Sequence, residues 1–280
     1  MPLIINTNLS ALNSVRNLNN TQSSLATSLQ RLSSGLRINS AKDDASGLAI
    51  VEGFTKQIRG NAVAIRNAAD GISLGQTAET SLGQVSNNLQ RIRELAVQAA
   101  NGAIGDNERN QIQKEVDQLT QELSRIVQTS EFNGTALLSA SATTLTFQVG
   151  YDGKANNQVS VATTQVTGVA GYSASLSATG TVNVTTSANA SAALGSLDSA
   201  LTTITNTRAT FGAVQNRFEA VISNLEAFNE SLTAARSRIQ DADFASETAN
   251  LTRAQILQQA GVSILAQANS LPQTALALLK

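Results

Sequence analysis

The sequence predicts a mainly α fold: a long antiparallel helical bundle or coiled coil formed by the N- and C-terminal segments, with a small central region that contains a β-hairpin. Apolar residues recur at alternating spacings of four and three near both ends of the chain, which is the spacing of a helical seam. The only prolines, Pro2 and Pro272, leave the interior free of the strongest helix breaker. Residues 155–197 carry no charge and are rich in Thr, Ser, Val and Gly, as strands and turns are.

Composition limits the chemistry open to the chain, since it has no Cys, no His and only 3% aromatic residues. Thiolate nucleophiles, disulfides and zinc sites of the usual nitrogen and sulfur type are therefore excluded. With 19 Lys+Arg against 20 Asp+Glu, no strong positive field attracts nucleic acid or an anionic membrane. We expect a helical interaction protein without cofactors. A soluble carboxylate-based enzyme is a distant alternative, disfavoured because no acidic pair converges.

Two seams predict the helices of the N-terminal part. The first has polar Gln22 at one position and a stop at Gly35, and the second ends at the Asn101-Gly102 turn signal. The first seam is Leu18, Leu25, Leu29, Leu32 and Leu36; the second is Ala78, Leu82, Val85, Leu89, Ile92, Ala96 and Ala99.

Three further seams predict the remaining helices. We expect Asp106 to cap the third, with Arg109 and a Gln-rich face turned to solvent, and a short connection makes it a hairpin with the second. The third seam is Ile112, Val116, Leu119, Leu123 and Ile126; the fourth is Val214, Phe218, Val221, Leu225, Phe228, Leu232, Ala235, Ile239 and Ala242; the fifth is Leu257, Gly261, Ile264, Ala268, Leu271, Ala275 and Leu278.

The middle of the chain alternates as strands do. Residues 143–149 and 158–166 flank a turn at 151–154 with the Asp-Gly signature, and residues 181–185 alternate again before helix resumes near Ala190. A disordered linker is the competing interpretation, because Ser, Thr and Gly also suit a solvated coil. Asn133-Gly134-Thr135 is interpreted as a tight turn, not as a glycosylation site.

The outermost seams favour self-assembly. Two amphipathic helices that pair only with each other still expose apolar surface, which further copies of the chain can bury. A closed five-helix bundle is the alternative. The predicted inter-subunit packing residues are Leu18, Leu25, Leu29, Leu32, Leu36, Leu257, Ile264, Leu271 and Leu278.

The N-terminus lacks the charged start and apolar run of a secretory signal peptide, and no segment has the roughly 18 consecutive apolar residues of a membrane helix. On these signals alone we expect a cytosolic protein without membrane insertion.

Several runs resemble the signatures of bacterial flagellins. They are residues 4–8 (IINTN), 32–45 (LSSGLRINSAKDDA), 47–50 (GLAI), 70–73 (DGIS), 89–98 (LQRIRELAVQ), 212–218 (GAVQNRF), 237–245 (SRIQDADFA) and 267–269 (QAN). The resemblance covers about residues 1–150 and 195–280, in the order that flagellins have. Glu79-Thr80-Ser81 and the terminal Lys280 depart from the common pattern, and the centre is short.

The resemblance implies a filament subunit without enzymatic activity, with five parts along the chain. They are 1–45 and 244–280, the halves of an inner coiled coil; 46–150 and 191–243, the parts of a middle helical domain; and 151–190, a short variable β-rich surface region. A hook–filament junction protein of the flagellum is the alternative, disfavoured because the signatures at both ends are uninterrupted.

The resemblance also implies an extracellular location and a set of partners. Flagellins are exported unfolded by the flagellar type III apparatus, so a signal peptide is not needed. The implied partners are further copies of the chain, an export chaperone at residues 271–279 of the C-terminal helix, the filament cap, the hook-junction proteins and toll-like receptor five of animal hosts.

Two groups of residues are expected at contacts. Arg37, Lys42, Asp43 and Asp44 fall in the implied connector between the inner and middle layers. Lys42 and Arg37 are candidate ion-pair partners of the two carboxylates or contacts between subunits, and packing between subunits is favoured. Adjacent carboxylates without further ligands do not predict a metal site. In the second group, Arg91, Leu95 and Gln98 share a helix face at i, i+4 and i+7. The resemblance adds Gln90 and, on the partner helix, Glu115. It implies that this face contacts the next subunit and the innate receptor.

Overall fold

A computed structural model describes residues 8–139 and 143–277, with side chains described as far as residue 270. The helices are α1 (Leu9–Ser34), α2 (Ala45–Ala100), α3 (Asp106–Thr129), α4 (Ser187–Gln240) and α5 (Phe244–Ala277). The strands are β1 (Glu131–Phe132), β2 (Thr135–Ala136), β3 (Thr144–Gln148) and β4 (Gln158–Ala162). The predicted mainly α fold with a small hairpin-containing centre is confirmed.

The chain divides into two compact units. Unit 1 comprises residues 1–56 and 230–280, and unit 2 comprises residues 57–229. The two divisions fall inside α2 and α4, whereas the sequence placed its boundaries after residues 45 and 243. The five-part division stays a prediction.

The ends of α1 have clear local causes. Asn8 caps the start, because its Oδ1 accepts a hydrogen bond from the Ala11 amide at 3.1 Å. At the other end Gly35 adopts φ 72°, and its amide donates to the Arg31 carbonyl at 2.8 Å. This left-handed stop is the one predicted from the sequence.

The second predicted seam forms the core of unit 2. Every position from Ala78 to Ala99 in that seam is buried, and α2 ends at Ala100, next to the predicted turn. The helix begins at Ala45, far before the seam, so the sequence missed its first half. Gly71 lets the ring of Phe218 on α4 lie against α2, and Phe147 of β3 meets that ring edge-on at 5.4 Å.

The prediction for the start of α3 is wrong. The capping position is Gly105, without a side-chain cap, and Asp106 is the first helical residue. Arg109 is buried, because its guanidinium donates to the carbonyls of Ala99 (2.9 Å) and Asn101 (3.1 Å) at the end of α2. A cation that meets the last carbonyls of a helix is favoured by their partial negative charge.

Both hairpins are antiparallel, and one turn is tighter than the other. Asn133 (φ 50°) and Gly134 (φ 75°) form the two-residue turn between β1 and β2, as the sequence predicted. The connection from β3 to β4 is longer than the predicted 151–154 turn and includes a short 3₁₀ helix, Ala155–Asn157.

The predicted strand at 181–185 is wrong, although Val182 and Val184 are buried in alternation. The side chain of Gln113 takes the place of a neighbouring strand. Its Nε2 donates to the Val182 carbonyl at 2.9 Å, and its Oε1 accepts from the Val184 amide at 2.7 Å. The whole segment from residue 163 to 186 consists of turns and irregular backbone and contains no strand.

Helices α4 and α5 run longer than their seams. Helix α4 begins at Ser187, close to the predicted return at Ala190, and ends at Gln240, so Ala242 lies beyond it. Phe228, assigned to the seam, is 43% exposed, and the neighbouring Asn229 bonds Asn61 of α2 instead. Pro272 lies within α5 rather than beyond it.

Candidate functional site

The candidate site is the surface of the α1–α5 pair in unit 1. The helices are antiparallel, since Asn8 Nδ2 donates to the Ala268 carbonyl (2.8 Å) and Ser28 Oγ donates to Glu247 Oε1 (2.6 Å). Between these contacts Leu18 lies against Gly261, whose added Cβ would be 3.4 Å from Leu18 Cδ1. The predicted coiled-coil pairing of the two ends of the chain is therefore present.

The seam between the two helices is made mostly of small and polar residues. It comprises Ala11, Ser14, Leu18, Thr21, Leu25, Ser28 and Leu32 of α1, with Glu247, Leu251, Ala254, Gln258, Gly261, Leu265 and Ala268 of α5. Leu18, Leu25 and Leu32 thus pack partly within the chain. Their role in contacts between subunits stays a prediction. The seam passes through positions 21 and 28 instead of 22 and 29 because small residues there let the helices approach closely.

Large apolar side chains flank this seam and are exposed. Leu29 is 50% exposed, Leu257 is 52% and Ile264 is 56%. Further exposed apolar residues on the two helices are Leu9, Leu12, Val15, Ile256 and Val262. Leu36 is half-buried in the connector, and the side chains of Leu271 and Leu278 lie outside the described part of the chain. Exposed apolar stripes of this kind mark contact surfaces.

The stripes lie on opposite sides of the helix pair. In heptad terms Val15 and Leu29 of α1 occupy e positions, whereas Leu257 and Ile264 of α5 occupy g positions. In an antiparallel pair, positions of the same letter share a side. Consistent with this geometry, Leu257 lines a groove with Ser24 and Arg31 of α1, and Leu29 is absent from that groove.

Sequence reasoning missed the charged group inside this seam. Glu247 is 8% exposed, accepts the Ser28 hydroxyl and pairs with Arg31 Nη1 at 3.8 Å. It is the only acidic residue of α1 and α5. The heptad spacing could have revealed it, because Glu247 falls on the same line of the helix as Ala254, Gly261 and Ala268.

The predicted connector residues serve as hydrogen-bonding groups. Asp43 Oδ2 accepts from the amides of Asn39 (3.2 Å) and Ser40 (2.9 Å) and from the Ser40 hydroxyl (3.0 Å). These bonds, the Ser40 amide first, hold the pKa of the Asp43 carboxyl below its ordinary value. Asp44 caps α2 by accepting the Gly47 amide at 2.8 Å.

Arg37 joins the connector to the junction of α4 and α5. Its guanidinium donates to the Ile239 carbonyl at 2.5 Å, and its amide donates to the Gln240 carbonyl at 2.6 Å. Lys42 is exposed. Within the described residues, neither Arg37 nor Lys42 forms an ion pair with Asp43 or Asp44, so the ion-pair alternative is wrong. The contact between subunits stays a prediction.

The predicted contact face on α2 and α3 is assembled by an ion pair. Arg91 Nη2 lies 2.8 Å from Glu115 Oε1 of α3, and this hydrogen bond raises the pKa of the guanidinium. Gln90 and Gln98 are exposed beside it. Leu95 is only 3% exposed and packs in the hydrophobic core, so its side chain lies beneath this face and not on it.

The described parts of the chain contain neither a membrane-spanning helix nor a cluster of metal-binding side chains. None of the helices there is long and apolar enough to cross a membrane. Residues 8–139 and 143–277 also contain no cluster of three acidic side chains that could hold a metal ion.

Family models match both ends of the chain. The bacterial flagellin N-terminal helical region matches residues 5–143, and the bacterial flagellin C-terminal helical region matches residues 194–279. These ranges contain the whole of α1 and the whole of α5.

Full-length relatives agree. A flagellin of Halalkalibacterium halodurans is 42% identical over 278 residues, covering 99% of this chain and 100% of the relative. Flagellin B of Vibrio cholerae is 36% identical over 375 aligned residues, covering 100% of both.

Solved structures show the same fold. The crystal structure of Bacillus cereus flagellin matches with a TM-score of 0.50 and 30% identity, over 57% of this chain and 88% of that one. A putative flagellar hook-associated protein from Vibrio parahaemolyticus matches with a TM-score of 0.57 over 71% of this chain and 100% of that one, but its 14% identity shows the fold alone. On its matched helical regions and full-length relatives, the chain belongs to the bacterial flagellin family.

Proposed function

We propose that this chain is a structural subunit that polymerises into the flagellar filament used for swimming. The observation that carries the proposal is the pair of apolar stripes on opposite sides of α1–α5, represented by Leu29 on one side and by Leu257 and Ile264 on the other. A two-fold dimer would cover one stripe twice and leave the other in water. A contact from one side to the opposite side of the next copy covers both, and such a heterologous contact propagates as a helical polymer.

Seeded assembly of purified chain, observed by electron microscopy, tests the proposal. Long filaments are expected, whereas short caps or monomers alone would contradict it and favour the hook-junction alternative. Removal of residues 1–36 should abolish polymerisation and leave the secondary structure of unit 2 intact in circular dichroism. A truncated chain that still polymerised would refute the role given to α1.

Point variants test the two sides separately. Leu29→Ser and Ile264→Ser should each slow elongation, because each removes apolar surface from one side of the contact. Leu176→Ser is the matched control, since Leu176 is 46% exposed on a loop of unit 2. If the control slows elongation as much as the two helix variants, the stripes are not the assembly surface.

The remaining expectations from the sequence are part of the same proposal. The face of Gln90, Arg91, Gln98 and Glu115 contacts the next subunit in the filament and, in the monomer, toll-like receptor five. The exposed Arg91–Glu115 pair supports a polar contact there. Charge reversal at Glu115 should weaken receptor activation by monomers, and an unchanged response would contradict this part.

Export is the other part of the proposal. The chain leaves the cell through the flagellar type III apparatus without a cleaved signal peptide, with a chaperone bound at residues 271–279, and it meets the cap and hook-junction proteins outside. Mass spectrometry of filament protein should find the N-terminal residues 4–8 retained. A processed N-terminus would contradict this route.

A further inference from the structure

On the side of the α1–α5 pair that carries Leu257 lies a groove of about 460 Å³. Its lining includes Ser24, Thr27 and Arg31 of α1 with Asn250, Arg253 and Leu257 of α5. The hydroxyls of Ser24 and Thr27 already donate to the carbonyls of Asn20 and Ser23. Guanidinium and amide groups are therefore the donors that the groove has left to offer.

The charge of this helix pair is unbalanced. Helices α1 and α5 contain three arginines, Arg16, Arg31 and Arg253, and one acidic residue, Glu247. Glu247 is buried and already accepts the Ser28 hydroxyl, so it neutralises at most one of the two guanidiniums in the groove. The groove keeps a net positive charge.

The arginines of the groove are poorly satisfied by the chain itself. Nε of Arg31 is buried and has no hydrogen-bond partner, and Nη1 is 3.8 Å from Glu247, too far for a hydrogen bond. Arg253 Nη1 reaches Asn250 Oδ1 only at 3.5 Å. A buried donor without an acceptor destabilises the fold. The Arg31 side chain as a whole is 31% exposed and lines the groove, so the exposed part of its guanidinium is open to an acceptor there.

We infer that this groove binds an oxyanion, a phosphate or carboxylate group held by Arg31 and Arg253. The planar guanidinium matches two oxygens of such a group, and charge-assisted bonds of this kind are the stronger ones in proteins. The group comes either from a free anion or from an Asp or Glu of another copy. The α1–α5 pair of another copy has no accessible carboxylate, so in that case the acid lies outside its helix pair.

Phosphate binding to the full chain is the direct test. The chain is labelled with ¹⁵N, held without seeds at a concentration and temperature at which circular dichroism shows the helices of unit 1 folded, and titrated with inorganic phosphate against chloride at equal ionic strength. The Nε resonances of Arg31 and Arg253 should shift and saturate with phosphate, and the Nε resonance of Arg16 should not. Shifts that are equal in phosphate and chloride, or equal at all three arginines, would overturn the inference.

Matched variants assign the site. Arg253→Gln, at an exposed position, should weaken phosphate binding about tenfold by removing one charge-assisted contact. Arg31→Lys keeps the charge but loses Nε, and should weaken binding while leaving the helix content unchanged. Arg16→Gln, outside the groove, should bind as the parent chain does. If Arg253→Gln and Arg31→Lys both bind phosphate with parental affinity, the groove is not the site.

Assembly kinetics identify the source of the oxyanion, and this arm alone rests on the proposed function. If a free anion fills the groove, phosphate should accelerate seeded elongation over chloride, and Arg253→Gln should remove the difference. If a carboxylate of another copy fills it, phosphate should compete and slow elongation. The titration without seeds stands even if the chain does not polymerise.

Discussion

The hydroxyl of Ser28 donates a 2.6 Å hydrogen bond to Glu247 Oε1 and joins two helices whose contacting residues are 219 positions apart in sequence. Both residues are buried. Together with the Asn8–Ala268 bond at the other end of the pair, this bond to a carboxylate helps to hold α1 and α5 in register.

Ser28→Ala should therefore loosen the helix pair by about 2 kcal/mol, since it leaves a buried carboxylate without its closest donor. Native-state hydrogen exchange of the α1 amides measures the loss. Ser23→Ala is the control, because the Ser23 hydroxyl is exposed and bonds only the Asn20 carbonyl of its own helix. Equal effects of the two substitutions would show that the link to Glu247 contributes nothing.

Gly71→Ala and Gly83→Ala should have opposite effects on the stability of unit 2. A Cβ at Gly71 would lie 2.5 Å from Phe218 Cζ, whereas one at Gly83 meets nothing within 4 Å. Overpacking at residue 71 should cost about 1–3 kcal/mol. At residue 83 the better helix former should stabilise by about 0.5–1 kcal/mol. Thermal unfolding followed by circular dichroism decides, and a stabilising Gly71→Ala would contradict the packing described.

Gln113→Ala should release residues 182–184 from α3. The substitution leaves the Val182 carbonyl and the Val184 amide without their partner, and each unsatisfied group costs about 1–3 kcal/mol. The Val184 amide should then exchange with solvent much faster. Gln111→Ala, at an exposed position of the same helix, is the control and should leave that exchange rate unchanged.

The connector should weaken in acid because of Asp43. The pKa of its carboxyl in the folded chain lies below the ordinary value of 3.8, first through the Ser40 amide and then the Ser40 hydroxyl. A depressed folded pKa stabilises above the unfolded pKa, and that contribution is lost as pH falls through the folded pKa. Titration by NMR should show the low value, and Ser40→Ala should raise it. A value at or above 3.8 in the parent chain would contradict the geometry.

The sequence predicted those features that depend on residues close together in the chain. The seam from Ala78 to Ala99 and the stop at Gly35 needed only spacing and glycine geometry, and both are present. The two-residue turn at Asn133-Gly134 is also present, for the same local reason.

What the sequence missed depends on contacts between distant segments. Arg109 is buried because the end of α2 presents carbonyls to it, and periodicity within α3 carries no information about them. Residues 181–185 have the period of a strand, but their partner is the Gln113 side chain and not another strand. Thr21 and Ser28 replace the predicted Gln22 and Leu29 in the seam of α1, because contacts with Gly261 and Glu247 of α5 decide which side of α1 faces inward.

The small residues of the α1–α5 seam have a thermodynamic consequence for the order of these helices. Most of the large apolar surface on this pair lies outside the contact between its two helices. If that surface is buried by other copies, helix order in unit 1 is linked to association by mass action. The melting temperature of the pair then rises with protein concentration while that of unit 2 stays constant, so dilution by itself acts as a denaturant of one of the two units.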